Sequence, residues 1–564
     1  MQSKITAFMK NEMSGKGGTI NFYLEPFTKI HLYSEFDSFE PNNSITYIYI
    51  LAFVGLLILI IACSTYINLS TARSIERAKE VGIRKVIGAA KKQIFWQFIG
   101  EAAALCLLSM VLSIIAATIA MPYFNHLTDK QLQAGLLFSP PFIVFALFVV
   151  IIVSFLAGSY PALILSGFQP VKVLKGAFKN AGSAQWLRKS LIIFQFAISV
   201  FLIVSTFIIQ QQLYFIQHKR LGYDREHVLV LPMDSKILAD VSLIKQQFKS
   251  NADIITVSRC VRSPVEGGGG YNMRSSEMPE DEQIAVTANP VDEDYIPAVG
   301  LQLIAGSNLT EQDTKDVSEE QKQKLYHFIL NESAAKQLGW TPQQAVDKKM
   351  FLDNSRPGFV KGVVKDFNFE SLHNSIKPIV LFPELRGREL LVKLNGHNLT
   401  QTISFLRLKW KSLVPDRPFE YRFLDDDYNK LYSAELRLGK IMNLFAAIAI
   451  VLACFGLFGL SAYAAQQRIK EIGVRKVLGA TVSNIVLLLS KDFVKLAVIA
   501  IVVAFPVAWW ATYTWLQDYS YRIQIQWWVF AAAGTLSILI AIMTVSFQAI
   551  KAAIANPVKS LRTE

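Results

Sequence analysis

Residues 76–89 read ERAKEVGIRKVIGA and residues 467–480 read QRIKEIGVRKVLGA, and the two stretches align without a gap at an offset of 391. Nine of the fourteen positions are identical, and three more exchange one branched aliphatic residue for another. Each copy follows one long apolar run and precedes another. The repeated unit is therefore a membrane helix, a basic amphipathic turn and a second membrane helix, and such a repeat predicts two halves of one architecture.

The composition is typical of a membrane protein, because 52% of the 564 residues are hydrophobic and the mean hydropathy is +0.33. The net charge of +13 is unevenly placed. Residues 213–435 hold 28 Lys and Arg against 31 Asp and Glu, which leaves +16 for the remainder. This excess lies in short loops and tails beside apolar segments, as the positive-inside rule describes, and we expect no nucleic-acid partner.

Seven apolar runs of about 20 residues or more predict seven transmembrane helices. They lie at residues 46–69, 94–121, 140–164, 190–212, 438–464, 488–513 and 527–550. Lys and Arg are concentrated in loops 70–93, 165–189 and 465–487 and in the C-terminal tail with Lys551, Lys559 and Arg562, and these segments are predicted to face the cytoplasm.

This topology also places residues 1–45 outside, although no apolar segment before them could carry them across the membrane. We therefore expect a first helix and most of a first external domain to precede Met1. The alternative is an N-out chain with a short translocated tail.

The predicted fold is a polytopic α-helical membrane protein of about seven spans with an α+β extracytoplasmic domain. In chain order, we expect the end of a first external domain (1–45), a three-helix membrane unit (46–189) with a cytoplasmic coupling helix near 74–90, a helix opening the second half (190–212), the external domain (213–437), a second three-helix unit (438–550) with a coupling helix near 466–481, and a cytoplasmic tail (551–564).

Within the external region, the alternating pattern of REHVLVLPM and DIITVSRCV predicts strands, as do FVKGVVKDF and ELLVKLN. ESAAKQLGW and LTQTISFLRLKWKSLV predict helices. We expect NFYLEPFTKIHLYSEF to hold a strand and a turn, and the run Asp425 to Asp427 to be a solvated turn, with calcium binding as a second choice.

As a helix, each repeated stretch has an apolar face, predicted from Ile83, Val86, Ile87 and Ala90 in the first copy and from Val474, Val477, Leu478 and Thr481 in the second. The opposite face carries Glu four residues before Arg in both copies, a favourable ion-pair spacing. Such a helix can lie on anionic lipid headgroups or dock into a cytoplasmic partner. Because Gly82 and Gly88 recur as Gly473 and Gly479, which lipid anchoring does not require, we favour docking.

Glu101 and Asp492 also align at the offset of 391, each just inside the cytoplasmic end of a span. Acids within a membrane are candidates for a functional site because charge is costly there. Near a helix end they can instead pair with adjacent basic residues. We favour structural pairing over a proton relay.

Four features of the sequence resemble the MacB/FtsX-type ABC transporter permeases with a MacB-like periplasmic core domain. They are the twin EhGhRKhhGA stretches (h is an aliphatic residue), the segment GVVKDFNFESLHNSIKPIVLF, the span FQFAISVFLI and the tail NPVKSL. The resemblance implies a bacterial cytoplasmic (inner) membrane protein that works as a homodimer or heterodimer of permeases with a separate cytoplasmic ABC ATPase, and with a possible periplasmic adaptor. It implies mechanotransmission, in which ATP-driven closure moves the external domain to export or release a peptide, drug or lipoprotein. A double-unit member has eight spans and two external domains, so this sequence departs from that pattern.

The predicted sites for coupling to the partner ATPase are therefore Glu80, Gly82, Arg84, Lys85, Gly88, Glu471, Gly473, Arg475, Lys476 and Gly479. The sequence contains no G-x-x-x-x-G-K-[ST] phosphate loop, and the run Gly267 to Gly270 lacks the Lys and the strand-to-helix setting. ATP and Mg are then expected in the partner chain, with no cofactor, metal or catalytic residue in this one.

Two other functions remain open at this stage. A transmembrane signalling or regulatory subunit could use the same levers to control an envelope enzyme or sensor. An ion-coupled secondary transporter would require paired acids near the middle of the membrane, whereas Glu101 and Asp492 lie near its edge.

Overall fold

The computed structural model of the protein describes residues 2–12, 24–33, 45–128, 130–167, 182–317 and 324–554. Contacts divide the chain into two compact units. The extramembrane unit comprises Met1–Asn42, Tyr214–Ala434 and Gln517–Arg522, and the membrane unit comprises Asn43–Leu213, Glu435–Leu516 and Ile523–Glu564.

The helices are, in chain order, α1 (Gln2–Glu12), α2 (Phe27–Tyr33), α3 (Ile45–Val86), α4 (Lys91–Thr128), α5 (Pro140–Gly167), α6 (Gly182–His218), α7 (Ser235–Ala239), α8 (Val241–Phe248), α9 (Tyr295–Val299), α10 (Glu311–Asp316), α11 (Glu332–Gln337), α12 (Pro342–Ala345), α13 (Leu399–Leu413), α14 (Leu424–Leu431), α15 (Ser433–Gln467), α16 (Ile469–Val477), α17 (Val482–Leu516) and α18 (Trp527–Ile554). The strands are β1 (Val228–Pro232), β2 (Ile254–Cys260), β3 (Gly269–Ser275), β4 (Ile284–Val291), β5 (Leu303–Gly306), β6 (Tyr326–Asn331), β7 (Lys349–Leu352), β8 (Arg356–Val364), β9 (Ile379–Pro383), β10 (Glu389–Leu394) and β11 (Arg422–Phe423).

Six helices of the described chain are long and apolar enough to cross a membrane, namely α3, α4, α5, α6, α15 and α18. The sequence predicts seven spans, and the predicted span 488–513 is not among these six helices. It forms most of α17, a continuous helix of 35 residues. Lys491, Asp492 and Lys495 lie in the first half of that helix and separate the short apolar run 485–489 from the longer uncharged run 496–516.

Helix α6 is the most enclosed of the six spans and forms the centre of the membrane unit. One side of α6 packs with α3 and α15 through a cluster that includes Ile61, Leu202 and Met442. Another side packs with α17 and α18 through Val204 and Ala533 among others. Close helix approach relies on small residues, because a Cβ on Gly439 would lie 2.7 Å from Leu213 Cδ1.

The extramembrane unit contains one 11-stranded sheet of mixed direction. Strands β11, β1, β10 and β2 form an open antiparallel part whose core, with Leu231 and Val257, packs against α8 and α13. Strands β4, β3, β7, β8, β6 and β9 form a closed ring, because β9 pairs with β4 in parallel. The ring encloses a second core that includes Phe328 and Val360. The unit is therefore an α+β domain with two cores.

The predicted strands correspond to β1, β2, β8 and β10, and the predicted helices to α11 and α13. Two expectations were wrong. Asp425 to Asp427 do not form a solvated turn but lie in the first turn of the helix α14, where carboxylates meet the positive end of the helix dipole. In the N-terminal segment, the described part of the predicted strand is the helix α2. Lys559 and Arg562 of the tail lie outside the described residues.

Asn331, at the end of β6, connects three segments of the ring and is completely buried. Its side-chain oxygen accepts hydrogen bonds from the amides of Ala334 and Ile379, each at 2.9 Å. Its amide group donates to Asp366 Oδ1 at 2.7 Å and to the carbonyl oxygen of Lys377 at 3.0 Å. All four hydrogen-bonding positions of this side chain are used.

Replacing Asn331 with Ala should destabilise the ring by about 3 kcal/mol, because buried groups lose their partners. Hydrogen exchange of the full chain should then show about 100-fold lower protection of the β6 and β9 amides. The exposed neighbour Gln337→Ala on α11 is the control and should leave protection unchanged. Unaltered protection in Asn331→Ala would contradict the role of this residue.

Candidate functional site

The two repeated stretches end in the same hydrogen-bonded cap. In the first copy, the amide of Gly88 donates to the carbonyl oxygen of Lys85 at 3.1 Å and that of Ala89 to Arg84 at 3.0 Å. The equivalent bonds in the second copy, from Gly479 to Lys476 and from Ala480 to Arg475, measure 3.1 and 2.9 Å. This is the Schellman pattern, which places the first residue after the cap in the left-handed region.

Gly88 has φ of 105° and Gly479 has φ of 93°, a conformation that glycine adopts without strain. The recurrence of these two glycines therefore has a structural explanation in the helix cap. It does not by itself indicate a partner. Gly82 and Gly473 lie inside the helices on the buried side.

The same side of the helix is buried in both copies. Val81 packs against Ile94 and Phe98 of α4 and Ala162 of α5. Its equivalent in the second copy is Ile472, which packs with residues of α17 and α18: Ile485, Leu489 and Ala553. Each pair of counterparts is separated by 391 positions, so the repeat extends beyond the basic stretch into the packing of the following helices.

The predicted apolar face points outwards. Ile83, Val86 and Ile87 are 52, 65 and 80% exposed, and we call them the first triad. Val474, Val477 and Leu478, the second triad, are 49, 67 and 80% exposed. Ala90 and Thr481 are exposed as well. The sequence pattern identified these side chains correctly as one apolar surface, but a different pair of residues, Val81 and Gly82, packs against the protein.

Ion pairs flank both triads. Glu80 Oε1 lies 2.7 Å from Arg84 Nη2, and Glu471 Oε1 lies 2.8 Å from Arg475 Nη2. All four side chains are about half exposed, so each pair contributes little to stability. Partial burial and the nearby Lys91 ammonium lower the pKa of Lys85. In both copies an apolar triad therefore lies beside a Glu–Arg pair.

The membrane-edge acids contact polar neighbours. Asp492 Oδ2 lies 3.1 Å from Arg468 Nη2. Glu101 accepts a hydrogen bond from Gln97 Nε2 at 3.2 Å, and Gln97 in turn accepts one from Arg84 at 2.8 Å. Both acids are therefore connected to a basic residue of the repeated stretch, directly in the second copy and through Gln97 in the first.

The copies differ in how the basic helix joins its membrane span. In the first copy it is the last part of α3, which runs without a break for 42 residues. In the second copy α15 ends at Gln467, and α16 begins after Arg468, whose φ of −99° and ψ of 17° interrupt the helix. The cap and the buried contacts are thus retained while the connection to the span changes.

A second feature, which the sequence did not indicate, lies in the extramembrane unit. The connection between α17 and α18 is hydrogen-bonded to Leu372 and His373. The amides of Ser520 and Tyr521 donate to the carbonyl oxygens of His373 and Leu372, each at 3.2 Å. The ring of His373 stacks on that of Tyr519 with 4.0 Å between centroids. We call residues 517–522 the latch loop.

The latch loop is well packed. Tyr519 is 1% exposed, and His373 Nδ1 lies 2.8 Å from the carbonyl oxygen of Asp518. The ammonium of Lys219, just after α6, lies 4.3 Å from the centroid of the Tyr521 ring, within the range of a cation–π interaction. His373 belongs to the segment ESLHNSIKP, whose sequence gives no sign of a contact so distant along the chain.

Among the described residues, two acidic groups have the spacing of metal ligands, and protein ammonium groups already contact both. Lys245 Nζ lies 2.8, 3.3 and 2.7 Å from oxygens of Asp292, Glu293 and Asp294. Burial alone would lower the pKa of Lys245, but these carboxylates outweigh it and raise that pKa. In the other group, formed by Asp313, Asp316 and His327, the ammonium of Lys361 pairs with Asp313. In each group a lysine ammonium therefore already contacts at least one of the acids.

Residues 31–170 and 443–557 match the model of the FtsX-like permease C-terminal family. The chain is 29% identical over 130 residues to the macrolide export ATP-binding/permease protein MacB of Escherichia coli and, at the same identity, to MacB 2 of Escherichia coli O1:K1 / APEC. Each match covers 23% of this chain, which spans about a fifth (20%) of the length of these relatives.

Two solved structures are also similar to part of the chain. The periplasmic region of MacB from Actinobacillus actinomycetemcomitans is 17% identical, with a TM-score of 0.27, and the match covers 38% of this chain and 97% of that one. The extracellular domain of the ABC-type transporter YknZ from Gram-positive bacteria is 13% identical, with a TM-score of 0.25, over 35% of this chain and 97% of that one.

Replacing Tyr519 with Ala should loosen the latch loop, because removal of a buried aromatic ring costs about 3 kcal/mol. Hydrogen exchange at Ser520 and Tyr521 should become about 100-fold faster, while amides of β10 stay protected. Asn374→Ala, an exposed position next to His373, is the control. If the two amides in Tyr519→Ala exchange as in the unmodified chain, the ring does not hold the loop.

Proposed function

We propose that this chain, whose two membrane regions are FtsX-like permease domains, is the membrane subunit of an ABC-type export or release system. In this proposal a cytoplasmic ABC ATPase docks on the two triads, and its ATP-driven movement is passed to the extramembrane unit. The substrate class is a peptide, a drug or a lipoprotein. The membrane is the bacterial cytoplasmic membrane, and a periplasmic adaptor is a further partner of the extramembrane unit.

The observation that carries this proposal is the exposed apolar surface found twice on the basic helices. Ile87 and Leu478 are each 80% exposed, and each follows a helix that buries its other side on the protein. Large apolar side chains grouped on a surface outside a hydrocarbon region indicate a site of interaction. The neighbouring cations favour an apolar pocket with an acidic rim as the complementary surface.

ATP binding is proposed to reside in the partner. The 564 residues contain no phosphate-loop motif, and such a loop is the usual cradle for the phosphates of ATP in a transport ATPase. ATP and Mg would then act only on the partner chain. This chain would contribute the docking surfaces and the moving parts, without a catalytic residue of its own.

The latch loop supports a mechanical role. Residues 517–522 follow α17 directly and are joined to α18 by residues 523–526, and they are hydrogen-bonded to Leu372 and His373. A displacement of either helix end therefore pulls on a segment between β8 and β9. Because the loop is held by several bonds and a buried ring, this displacement is transmitted to the segment and not absorbed by the loop.

An ion-coupled transporter receives less support from the same geometry. Asp492 is 64% exposed on its side chain and pairs with Arg468, and Glu101 accepts a hydrogen bond from Gln97. Acids that carry protons across a membrane lie within it and alternate between its sides. A signalling subunit would use the same docking surfaces and latch loop, and it differs only in what the extramembrane unit acts on.

Replacing Ile87 and Leu478 together with Asp should prevent co-purification of an ATPase from membranes of the native host. A carboxylate buried without a partner in the interface costs roughly 3 kcal/mol at each site, or about 100-fold in affinity. The ATPase activity and the amount of the ATPase subunit are measured in the purified fraction. Arg84→Glu with Arg475→Glu should weaken binding in the same direction, because each new Glu faces Glu80 or Glu471.

Two controls accompany this test. Ile87→Val with Leu478→Val keeps both surfaces apolar and should retain the ATPase. Leu243→Asp adds a carboxylate at an exposed apolar position of the extramembrane unit and should also retain it. If the Asp variants retain the ATPase but lose binding to anionic lipid vesicles, the triads contact lipid and the proposal fails.

A further inference from the structure

We propose that the extramembrane unit binds a small zwitterion, of the class of a free aliphatic α-amino acid, in a cavity lined by α8, β2 and α10. The carboxylate of the ligand pairs with Arg259, and its ammonium group faces Glu293. This inference goes beyond the proposed function, because it concerns neither the triads nor the partner ATPase.

The cavity has a volume of about 210 Å³ and lies within the extramembrane unit. Helix α8 contributes Lys245 to its lining, β2 contributes Arg259, and α10 contributes Thr314. Helix α10 is tied to the ring through the ion pair between Asp313 and Lys361 of β8. Pockets for drug-sized ligands measure roughly 300–1,000 Å³, so this cavity suits a smaller molecule.

Arg259 is a buried cation that has no counter-ion in the protein. It is only 7% exposed, and within the described chain only Nη2 of its guanidinium has a partner, the carbonyl oxygen of Glu384 at 2.8 Å. Among the described residues, no carboxylate lies within ion-pairing distance of this guanidinium. Because a buried charge without a partner is costly, the cavity favours an anionic group from outside the chain.

The acids close to Arg259 are paired with other cations. Asp292 Oδ2 accepts a hydrogen bond from the backbone amide of Arg259 at 2.7 Å, but its ion pair is with Lys245, at 2.8 Å. The carboxylate of Glu384 lies 3.4 Å from Arg356 Nη2. The protein therefore holds the guanidinium without neutralising it, and a planar guanidinium matches the two oxygens of a ligand carboxylate.

The stem of Arg259 is fixed by close packing. A Cβ on Gly387 would lie 2.5 Å from Arg259 Cγ and 2.8 Å from its Cδ, so this approach of the backbone requires glycine. A side chain that is already held in place loses less conformational freedom when a ligand binds. The guanidinium is thus positioned before the ligand arrives.

Thr314 is a second buried polar residue of the cavity. It is 9% exposed, and its hydroxyl has no hydrogen-bond partner in the part of the chain that the structure describes. A hydroxyl can donate to a carboxylate oxygen, and a buried one without a partner is destabilising. Since Thr314 is on α10 and Arg259 on β2, one carboxylate bound to both connects the two elements.

The other charges favour a zwitterion over a simple anion. The lining has as many cations as acids, namely Lys245, Arg259 and Lys315 against Asp292, Glu293 and Glu311. These acids repel an anion with two negative charges, whereas a ligand that also carries an ammonium group complements both signs. Of the three acids around Lys245, Glu293 has the longest contact, at 3.3 Å against 2.8 and 2.7 Å, and is the one best able to accept the ligand ammonium.

The cavity also has an apolar part, which indicates the side chain of the ligand. Val241 of α8 and the exposed Leu385 contribute to the lining. An aliphatic side chain gains from contact with these two residues, because apolar surface leaves water. Leucine therefore serves as the probe.

The test is isothermal titration calorimetry of the full chain in nanodiscs with four probes: L-leucine, L-leucinamide, N-acetyl-L-leucine and inorganic phosphate. We expect leucine to bind. Leucinamide lacks the carboxylate and N-acetyl-leucine lacks the ammonium group, so each should bind about 100-fold more weakly. Phosphate should not compete with leucine. Absence of leucine binding, equal binding of leucine and leucinamide, or displacement of leucine by phosphate would overturn the inference.

Three variants locate the site. Arg259→Gln should lower the affinity for leucine about 100-fold, and Thr314→Val, which leaves the arginine in place, about tenfold. Arg388→Gln removes an exposed arginine outside the cavity and should leave the affinity unchanged. Exchange of the β10 amides checks the fold of Arg259→Gln, and Thr314→Val decides the question if that fold is disturbed. Full leucine affinity in Thr314→Val, or in a folded Arg259→Gln, would overturn the proposed site.

Hydrogen exchange of the unmodified chain gives a readout that does not depend on any variant. Because the ligand connects β2 with α10, saturating leucine should slow exchange of the α10 amides about tenfold. The amides of α16, in the membrane unit, should exchange as before. Slower exchange at α16 without any change at α10 would place leucine elsewhere and would contradict the inference.

Discussion

The packing of Val81 on α4 and α5, and of Ile472 on α17 and α18, determines what each basic helix can do. Once that side is buried, the helix has one rotational setting, and the triad on its other side must face away from the protein. Burial of one such side chain contributes about 2 kcal/mol. The same small contact therefore sets both the position of the helix and the surface it offers.

Periodicity alone could not decide which side of these helices is buried. Apolar residues occur on two sides, with Val81 on one and Ile83, Val86 and Ile87 on the other, and the helical pattern does not indicate that Val81 is the residue that packs against the protein. The structure buries the smaller group because Gly82 is adjacent to Val81 and adds no side chain to that face. The larger apolar group, Ile83, Val86 and Ile87, is therefore free to form an outward-facing surface, while Val81 and Gly82 pack against the protein. A helical pattern that is treated as a single apolar stripe does not separate these two groups.

In the extramembrane unit, local sequence patterns predict β1, β2, β8 and β10, because alternating apolar and β-branched residues mark these four strands. The closed ring was beyond prediction, since it depends on the parallel pairing of β4 with β9, which are far apart in the chain. The latch loop was beyond prediction for the same reason. Tyr519 and His373 are separated by 146 positions, and nothing in either local sequence specifies the other.

The two halves keep the same cap, buried contacts and triad but differ in the backbone that connects them to the membrane. The first triad lies at the end of α3, which is unbroken, so in the proposed docking a push on Ile87 would be transmitted along the span. The second triad lies on a short helix that meets α15 at Arg468, where the helical hydrogen bonds are interrupted and the Arg468–Asp492 ion pair ties the joint to α17. In the proposed docking, a push on Leu478 would be directed towards α17, whose far end continues into the latch loop. The two equivalent surfaces thus differ in their connections, because the second is tied by an ion pair to the helix that continues into the latch loop, and that loop is hydrogen-bonded to the segment at His373.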